Sequence, residues 1–174
     1  MNSLKYTDET DRAYGLGGMA VAMVVWESDR YIHMLDIEAS ADQGLRLTPD
    51  FYMIRSPKSS PRATWNDSVE KFQLTAGLII SNILCRALVK DRQEISTQLR
   101  QTIVSQLREE GAYVADLTDN EVETIFSKAY NYFHSIFSHP TIAGLCGKLA
   151  ESVQSERRIY RERILEILAP LQRI

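Results

Sequence analysis

Residues 61–90 read PRATWNDSVEKFQLTAGLIISNILCRALVK, and this stretch decides the fold. Ser60 and Pro61 form a favourable helix start, because serine caps helix N-termini and proline suits the first helical position. Apolar residues then recur at steps of three and four, as they do on one face of a helix: Trp65, Val69, Phe72, Ala76, Ile79, Ile83 and Ala87. From residue 74 to residue 89 the other faces are apolar too, which is typical of a helix buried on several sides. The stretch therefore predicts the central helix of the domain.

Three further helices are predicted downstream, at about 91–111, 118–138 and 141–169. The first two each begin with a capping box, in which an acidic side chain three residues into the helix reaches back to the cap. Gly111 is expected to end the first of them, and Pro140 to stop the second. In the third, the apolar residues follow a single stripe, which predicts one long helix.

The first apolar segment allows two interpretations. Between about residue 12 and residue 38, most apolar positions fall on three- and four-residue steps, which favours a helix. The alternative is a hairpin of 21–26 with 31–37, because valine, tyrosine and isoleucine favour strands. No Asn-Gly or Asp-Gly turn closes such a hairpin, so the helix is preferred. Three glycines predict the close approach of a neighbouring backbone rather than a phosphate loop: Gly15, Gly17 and Gly18.

Together these patterns predict an all-α, single-domain bundle of about five helices over residues 1–174, arranged around the buried helix at 61–90. Residues 1–11 are polar and acidic, so this end is expected to be frayed. Residues 39–60 are predicted to be irregular, with a short helix after Thr48-Pro49 or an extended piece at 51–54. Nine side chains are predicted to be buried: Trp65, Phe72, Ile79, Ile83, Leu84, Phe126, Phe133, Leu149 and Ile164.

Composition excludes several classes of protein. The chain has 174 residues, of which 44% are hydrophobic and 25% charged, as in ordinary globular proteins rather than disordered or fibrous ones. The net charge of −3 provides no global field for DNA or an anionic membrane. The apolar run at 13–26 is shorter than the roughly 20 residues of a membrane span, so no membrane contact is predicted. Cys85 and Cys146 both lie in apolar helical patterns, which predicts buried, reduced thiols in a cytoplasmic protein.

One constellation offers a candidate metal or catalytic site. Asp29, His33 and Asp36 are spaced by four and three residues, so on a helix they would share one face. Two carboxylates beside an imidazole can hold a divalent metal or orient a general base. A solvated, ion-paired face is the preferred interpretation, and a small metal-binding protein or enzyme is the alternative function. The sequence contains no zinc motif and no nucleophile elbow, so it predicts no cofactor and favours a protein without enzymatic activity.

The last predicted helix carries the features that favour a binding function. Tyr160 lies among arginines and glutamates, a composition typical of protein–protein contacts. Ile164 and Leu168 belong to a set with more apolar positions than one buried stripe needs, which predicts an outward patch rimmed by Arg157 and Arg161. The sequence therefore predicts association, either as a homodimer or with another protein. The alternative is that residues 13–26 cover this patch.

Nucleic-acid contact is a third hypothesis. Basic residues cluster on the last helix and in the irregular segment: Arg157, Arg158, Arg161 and Arg163, and Arg55, Lys58 and Arg62. Glutamates interleave with the first group and reduce the field that phosphates would sense. An ion-paired surface is the preferred interpretation, and any nucleic-acid contact is expected to be weak.

Overall fold

The computed structural model describes residues 4–40, 43–52 and 60–173. It confirms a mainly all-α fold, to which three short strands add a small sheet. The α-helices of the described residues are α1 (Glu9–Val25), α2 (Pro49–Tyr52), α3 (Pro61–Leu84), α4 (Thr97–Ala115), α5 (Asp119–Phe137), α6 (Pro140–Glu156) and α7 (Arg161–Leu168). The strands are β1 (Ile32–Asp36), β2 (Leu45–Leu47) and β3 (Arg158–Tyr160). A π-helix (Cys85–Lys90) continues α3, and 3-10 turns occupy Asp29–Tyr31 and Ala169–Arg173.

The predicted central helix is confirmed by α3 and the π-helix that follows it. The Ser60 side chain accepts a hydrogen bond from the Ala63 N–H at 3.3 Å, as an N-cap should. The centre is shared with α1, which is buried along most of its length and packs on α3 and α6. A Cβ added at Gly18 would lie 2.5 Å from the carbonyl oxygen of Ser81 and 2.5 Å from the Cβ of Cys85. The predicted role of the glycine as a point of close approach is therefore confirmed here.

The helical stretch Pro61–Lys90 is, among the described residues, the one helix long and apolar enough to cross a membrane. Its most apolar window has a mean hydropathy of 1.6, and 61% of that window is buried inside the fold. Core helices pass the same length and composition test. The burial supports a core helix.

Most of the predicted core is confirmed. Seven of the nine side chains are buried: Phe72, Ile83, Leu84, Phe126, Phe133, Leu149 and Ile164. Ile79 is half-buried. Trp65 was predicted to be buried but is 45% exposed. Its indole N–H donates a hydrogen bond to the carbonyl of Ala115 at 2.9 Å, so the ring lies over the end of α4 instead of inside the bundle.

The start of α4 differs from the prediction. Ser96, rather than Asp91, caps the helix, and its side chain accepts a hydrogen bond from the Leu99 N–H at 3.1 Å. The π-helix carries the chain to Lys90, and Arg92 then turns with a φ of 53°, so residues 91–95 connect two helices.

The end of α4 also differs, whereas the next helix starts as predicted. Gly111 lies inside α4, buried against Phe72 and Val122, so it serves packing and the helix continues to Ala115. The capping box at the start of α5 is confirmed. The Thr118 side chain accepts a hydrogen bond from the Glu121 N–H, and the Glu121 side chain accepts one from the Thr118 N–H. Pro140 follows α5 and is the first residue of α6.

Neither interpretation of residues 12–38 is correct along the whole segment. Its first half is helical, but α1 ends at Val25 and Glu27 turns the chain with a φ of 54°. The second half forms β1, which pairs with β2 and β3 instead of 21–26. The β3 partner lies far along the chain and the β2 partner lies in the segment predicted to be irregular, so the periodicity of 12–38 could not show them. The predicted short helix after Thr48-Pro49 is confirmed as α2, whereas residues 53–59 lie outside the described part.

The long helix predicted at 141–169 is interrupted. It ends as α6 at Glu156, and Arg157 reverses the chain with a φ of 65°. The next three residues form β3, and α7 begins only at Arg161. Strand pairing with β1 accounts for the break, because it buries Ile159 opposite Leu35 while the Ile37 N–H donates to the carbonyl of Arg157 at 3.0 Å.

The predicted fraying does not extend to residues 4–11. Arg86, fully buried on the π-helix, donates hydrogen bonds to the carbonyls of Leu4 and Lys5 at 3.2 and 2.8 Å. The Asp11 carboxylate, also buried, contacts Arg86 at 2.5 Å and Lys90 at 3.0 Å. This charged cluster ties the start of the chain to the central helix.

The Asp11 cluster predicts a dependence of stability on pH. Burial alone would raise the pKa of Asp11. Hydrogen bonds from Arg86, the Thr7 N–H and Lys90 outweigh this effect and lower the pKa from its usual value of 3.8 to about 2. A carboxyl whose pKa is lowered on folding stabilises the protein above the unfolded pKa and loses that contribution as the pH falls through the folded pKa. We expect the difference in free energy of unfolding between wild type and Asp11→Asn to decrease by about 2 kcal/mol as the pH falls from about 5 to 2. Urea unfolding at a series of pH values measures this difference, and a constant difference would contradict the assignment.

Candidate interaction surface

The small sheet brings together segments from both ends of the chain. Its strand order is β2-β1-β3, and both pairings are antiparallel. Met34 lies opposite Arg46 of β2 and opposite Tyr160 of β3. Asp36 lies opposite Arg158 of β3. Because directly opposite residues in antiparallel strands share a face, these five side chains lie on one face of the sheet.

A buried carboxylate organises the arginines of this face. Asp36 is 1% exposed, and its Oδ2 accepts from Arg46 Nη2 at 3.0 Å and from Arg158 Nε at 3.1 Å. Its Oδ1 accepts a hydrogen bond from the Glu38 N–H at 3.0 Å. The arginine side chains remain 46% and 54% exposed. The carboxylate therefore lies beneath two half-exposed arginine side chains, of which Arg158 also pairs with Glu38 at 3.6 Å.

A cleft of about 420 Å³ opens beside this face. Its lining comprises Arg30, Ile32, His33, Thr48, Tyr160, Arg161 and Glu162. The Tyr160 side chain is 52% exposed, and its ring meets the His33 ring edge to face with centroids 5.9 Å apart. The two rings form an aromatic wall that solvent can reach.

Arg161 is held in place at the start of α7. Its Nη2 lies 2.7 Å from Asp29 Oδ2, and its Nε donates to the Asp29 carbonyl at 3.0 Å. Two bonds to one residue fix the plane of a guanidinium more firmly than one bond would. We call the set Arg30, His33, Arg46, Arg158, Tyr160 and Arg161 the arginine–tyrosine surface.

The structure does not align Asp29, His33 and Asp36 on one helix face, as the alternative metal or catalytic site requires. The residues lie on a 3-10 turn and a strand, so the helical spacing that would have aligned them does not apply. Asp29 pairs with Arg161, His33 contacts Tyr160, and Asp36 lies under its two arginines. Across the described ranges, no three potential metal-ligating side chains of His, Cys, Asp or Glu come together.

The predicted outward apolar patch is wrong in its two central members. Ile164 and Leu168 are both 0% exposed. They lie on α7, which packs on α6, β1, β3 and α1. The additional apolar residues therefore pack against several elements at once. One of them is α1, as in the alternative in which residues 13–26 cover the patch. The outer members of the set, Tyr160, Arg157 and Arg161, do lie at the surface.

The four C-terminal arginines of the nucleic-acid hypothesis are ion-paired. The pairs, in chain order, are Arg157 with Glu9 and Glu38, Arg158 with Asp36 and Glu38, Arg161 with Asp29, and Arg163 with Glu156 and Glu166. Carboxylates thus offset much of the positive potential that phosphates would sense. Arg55 and Lys58 lie outside the described residues.

The two cysteines are buried and form no disulfide, as predicted. Burial raises the pKa of the Cys85 thiol well above its usual range, and a hydrogen bond with Cys146 acts in the same direction. A buried thiol with a raised pKa is a poor nucleophile, because the thiolate is the reactive form.

Sequence reasoning missed two members of the surface on other elements, Arg30 and Arg46, and placed His33 in a different role. The signal that could have found them is the strand-like run at 31–37, if its partners are sought outside residues 12–38. Arginine and tyrosine in fixed positions provide recognition of anionic and apolar groups. Comparison of the chain with family models, curated proteins and solved structures finds no match.

Proposed function

We propose that this chain is a non-enzymatic binding protein that contacts a partner protein through the arginine–tyrosine surface. The observation that carries the proposal is a half-exposed Tyr160 beside Arg158 and Arg161, two arginines that ion pairs already hold in place. Tyrosine and arginine are the residue types, with tryptophan, that dominate binding energy at protein interfaces. Side chains fixed before binding lose less entropy when the partner docks.

The partner is expected to place a carboxylate against Arg30, an exposed arginine of the cleft that forms no ion pair with a described residue. Arg46 and Arg158 cover the carboxylate of Asp36 while about half of each side chain stays exposed, and Arg158 also pairs with Glu38. A symmetric dimer through this surface would bring Arg30 of one copy against the same arginine-rich patch of the other, since the same patch meets itself at a twofold interface. A different protein therefore fits better than a second copy. The charge contacts also predict that association weakens as the salt concentration rises.

The test compares variants of the surface with a matched control. Tyr160→Ala and Arg161→Ala remove two of its members, whereas Tyr113→Ala removes a 90% exposed tyrosine on α4, outside the surface. Immobilised wild type and variants are used to capture proteins from the source cells, and the captured proteins are quantified by mass spectrometry. We expect at least one partner that Tyr160→Ala and Arg161→Ala each reduce about tenfold or more, as for interface hot spots.

The same partner should be retained by Tyr113→Ala and released as salt is raised. The proposal fails if every captured protein is lost equally from the Tyr160 and Tyr113 variants. It also fails if light scattering shows a dimer of the 19.9 kDa chain that Tyr160→Ala converts to monomer, because the partner would then be a second copy.

A further inference from the structure

A second cavity, of about 610 Å³, lies between α3, α5 and the end of α1. Its apolar lining is Trp26, Leu74, Ile125, Ala129 and Tyr132. Its polar lining is Ser28, Glu70, Gln73, Thr124 and Lys128. A cavity of this size with apolar walls and a few polar groups is typical of small-molecule sites. It shares no lining residue with the arginine–tyrosine surface.

One end of this cavity is aromatic and rigid. A Cβ at Gly77 would overlap the Trp26 ring, so the glycine of α3 is what allows the indole to lie against the helix. The ring also packs on Phe133 with centroids 4.6 Å apart. Tyr132, 41% exposed, stacks beside Trp26 at an interplanar angle of 23° and a centroid distance of 6.3 Å. The two rings thus form a preformed platform for a flat aromatic group.

The other end of the cavity is charged with both signs. Glu70 lies seven residues before Gly77 along α3, or about 10 Å from the level of Trp26 at 1.5 Å per residue. Lys128 lies four residues before Tyr132 along α5, or about 6 Å away. Neither Glu70 nor Lys128 forms an ion pair with a residue in the described part of the chain. A carboxylate and an ammonium that have no ion-pair partner among the described residues therefore lie on opposite walls, one or two turns from the aromatic platform.

We infer that the cavity binds a small aromatic zwitterion. The flat ring would stack on Trp26 and Tyr132, the ligand's ammonium would pair with Glu70, and its carboxylate would pair with Lys128. Free aromatic amino acids are the simplest members of this class. An apolar helix of a partner protein could also pack on the aromatic platform. Such a helix would not need an ammonium and a carboxylate close to one ring.

The test uses three probes that share an indole ring and differ in charge. L-Tryptophan carries both charges, tryptamine carries only the cation, and indole-3-propionate carries only the anion. We expect isothermal titration calorimetry to show saturable one-to-one binding of L-tryptophan. Each single-charge probe should bind about tenfold more weakly, because it forms one charge-assisted contact fewer.

Two charge variants make the test specific. Glu70→Gln should weaken L-tryptophan and tryptamine but leave indole-3-propionate unchanged, and Lys128→Gln should show the reverse pattern. Tyr132→Ala should weaken all three probes, whereas Tyr113→Ala should weaken none. The inference is overturned if L-tryptophan shows no saturable binding at millimolar concentration. It is equally overturned if the three probes bind alike or if the two charge variants do not show opposite patterns.

Discussion

Replacing Asp11 by asparagine is expected to lower the free energy of unfolding by about 3–5 kcal/mol. Asparagine has nearly the same shape, so the change removes charge rather than packing. It leaves Arg86, which is 0% exposed, without the carboxylate that contacts it at 2.5 Å. Breaking a buried ion pair from one side is costly because the remaining charge stays desolvated. A loss of this size is a large part of the stability of an ordinary domain.

Urea unfolding followed by circular dichroism at pH 7 measures the effect, and Glu9→Gln provides the control. Glu9 lies half a turn before Asp11 on α1 and pairs with Arg157, but both of those side chains are well exposed to solvent. Exposed ion pairs contribute little, so Glu9→Gln should shift the unfolding midpoint far less. Equal shifts in the two variants would show that the Asp11 cluster is not the anchor of the N-terminal segment.

Gly18→Ala is the second large effect, and its sign depends on packing. In an open helix this change would stabilise by about 0.5–1 kcal/mol, because alanine is the better helix former. At Gly18 the new methyl would lie 2.5 Å from the backbone oxygen of Ser81, an atom that cannot rotate away. Overpacking of this kind costs about 1–3 kcal/mol or more. We therefore expect net destabilisation.

Gly144→Ala is the matched control. Gly144 is also inside a helix, α6, but a Cβ there has no neighbour within 4 Å among the described residues. It should raise the free energy of unfolding by about 0.5–1 kcal/mol, as expected from helix propensity alone. Thermal unfolding of the two variants decides the matter. If Gly18→Ala and Gly144→Ala change the free energy of unfolding in the same direction, the close approach of α1 to the central helix at Gly18 is contradicted.

The parts of the fold that the sequence predicts correctly are the ones that depend on nearby residues. The periodicity of 61–90 and the capping box at Thr118 each involve residues within one element, and both are confirmed. The strands depend instead on pairing across the chain, since Leu35 meets Ile159. No three- or four-residue spacing carries that information. The helical periodicity of 141–169 therefore predicts a helix that continues through Arg157, where the chain in fact reverses.

The candidate surface was predicted only in part for the same reason. Tyr160 and Arg161 were identified from local composition, which does not depend on strand pairing. A helix with one partner would leave Ile164 facing outward, whereas α7 packs on several elements and buries it. Arg30 and Arg46 join the surface only after β1 pairs with its neighbours. The buried contact of Asp11 with Arg86 spans most of the first half of the chain and left no local signal.

The central claim is that the arginine–tyrosine surface contacts a partner protein, and site-specific photo-crosslinking in living cells tests it most directly. A p-benzoylphenylalanine is placed at position 160 in one variant and at position 113, on α4, in the other. Illumination is predicted to give a discrete covalent adduct from position 160, which Arg161→Ala in the same chain strongly reduces, and no such adduct from position 113. The absence of an adduct at position 160, or the same adducts from both positions, would contradict the claim.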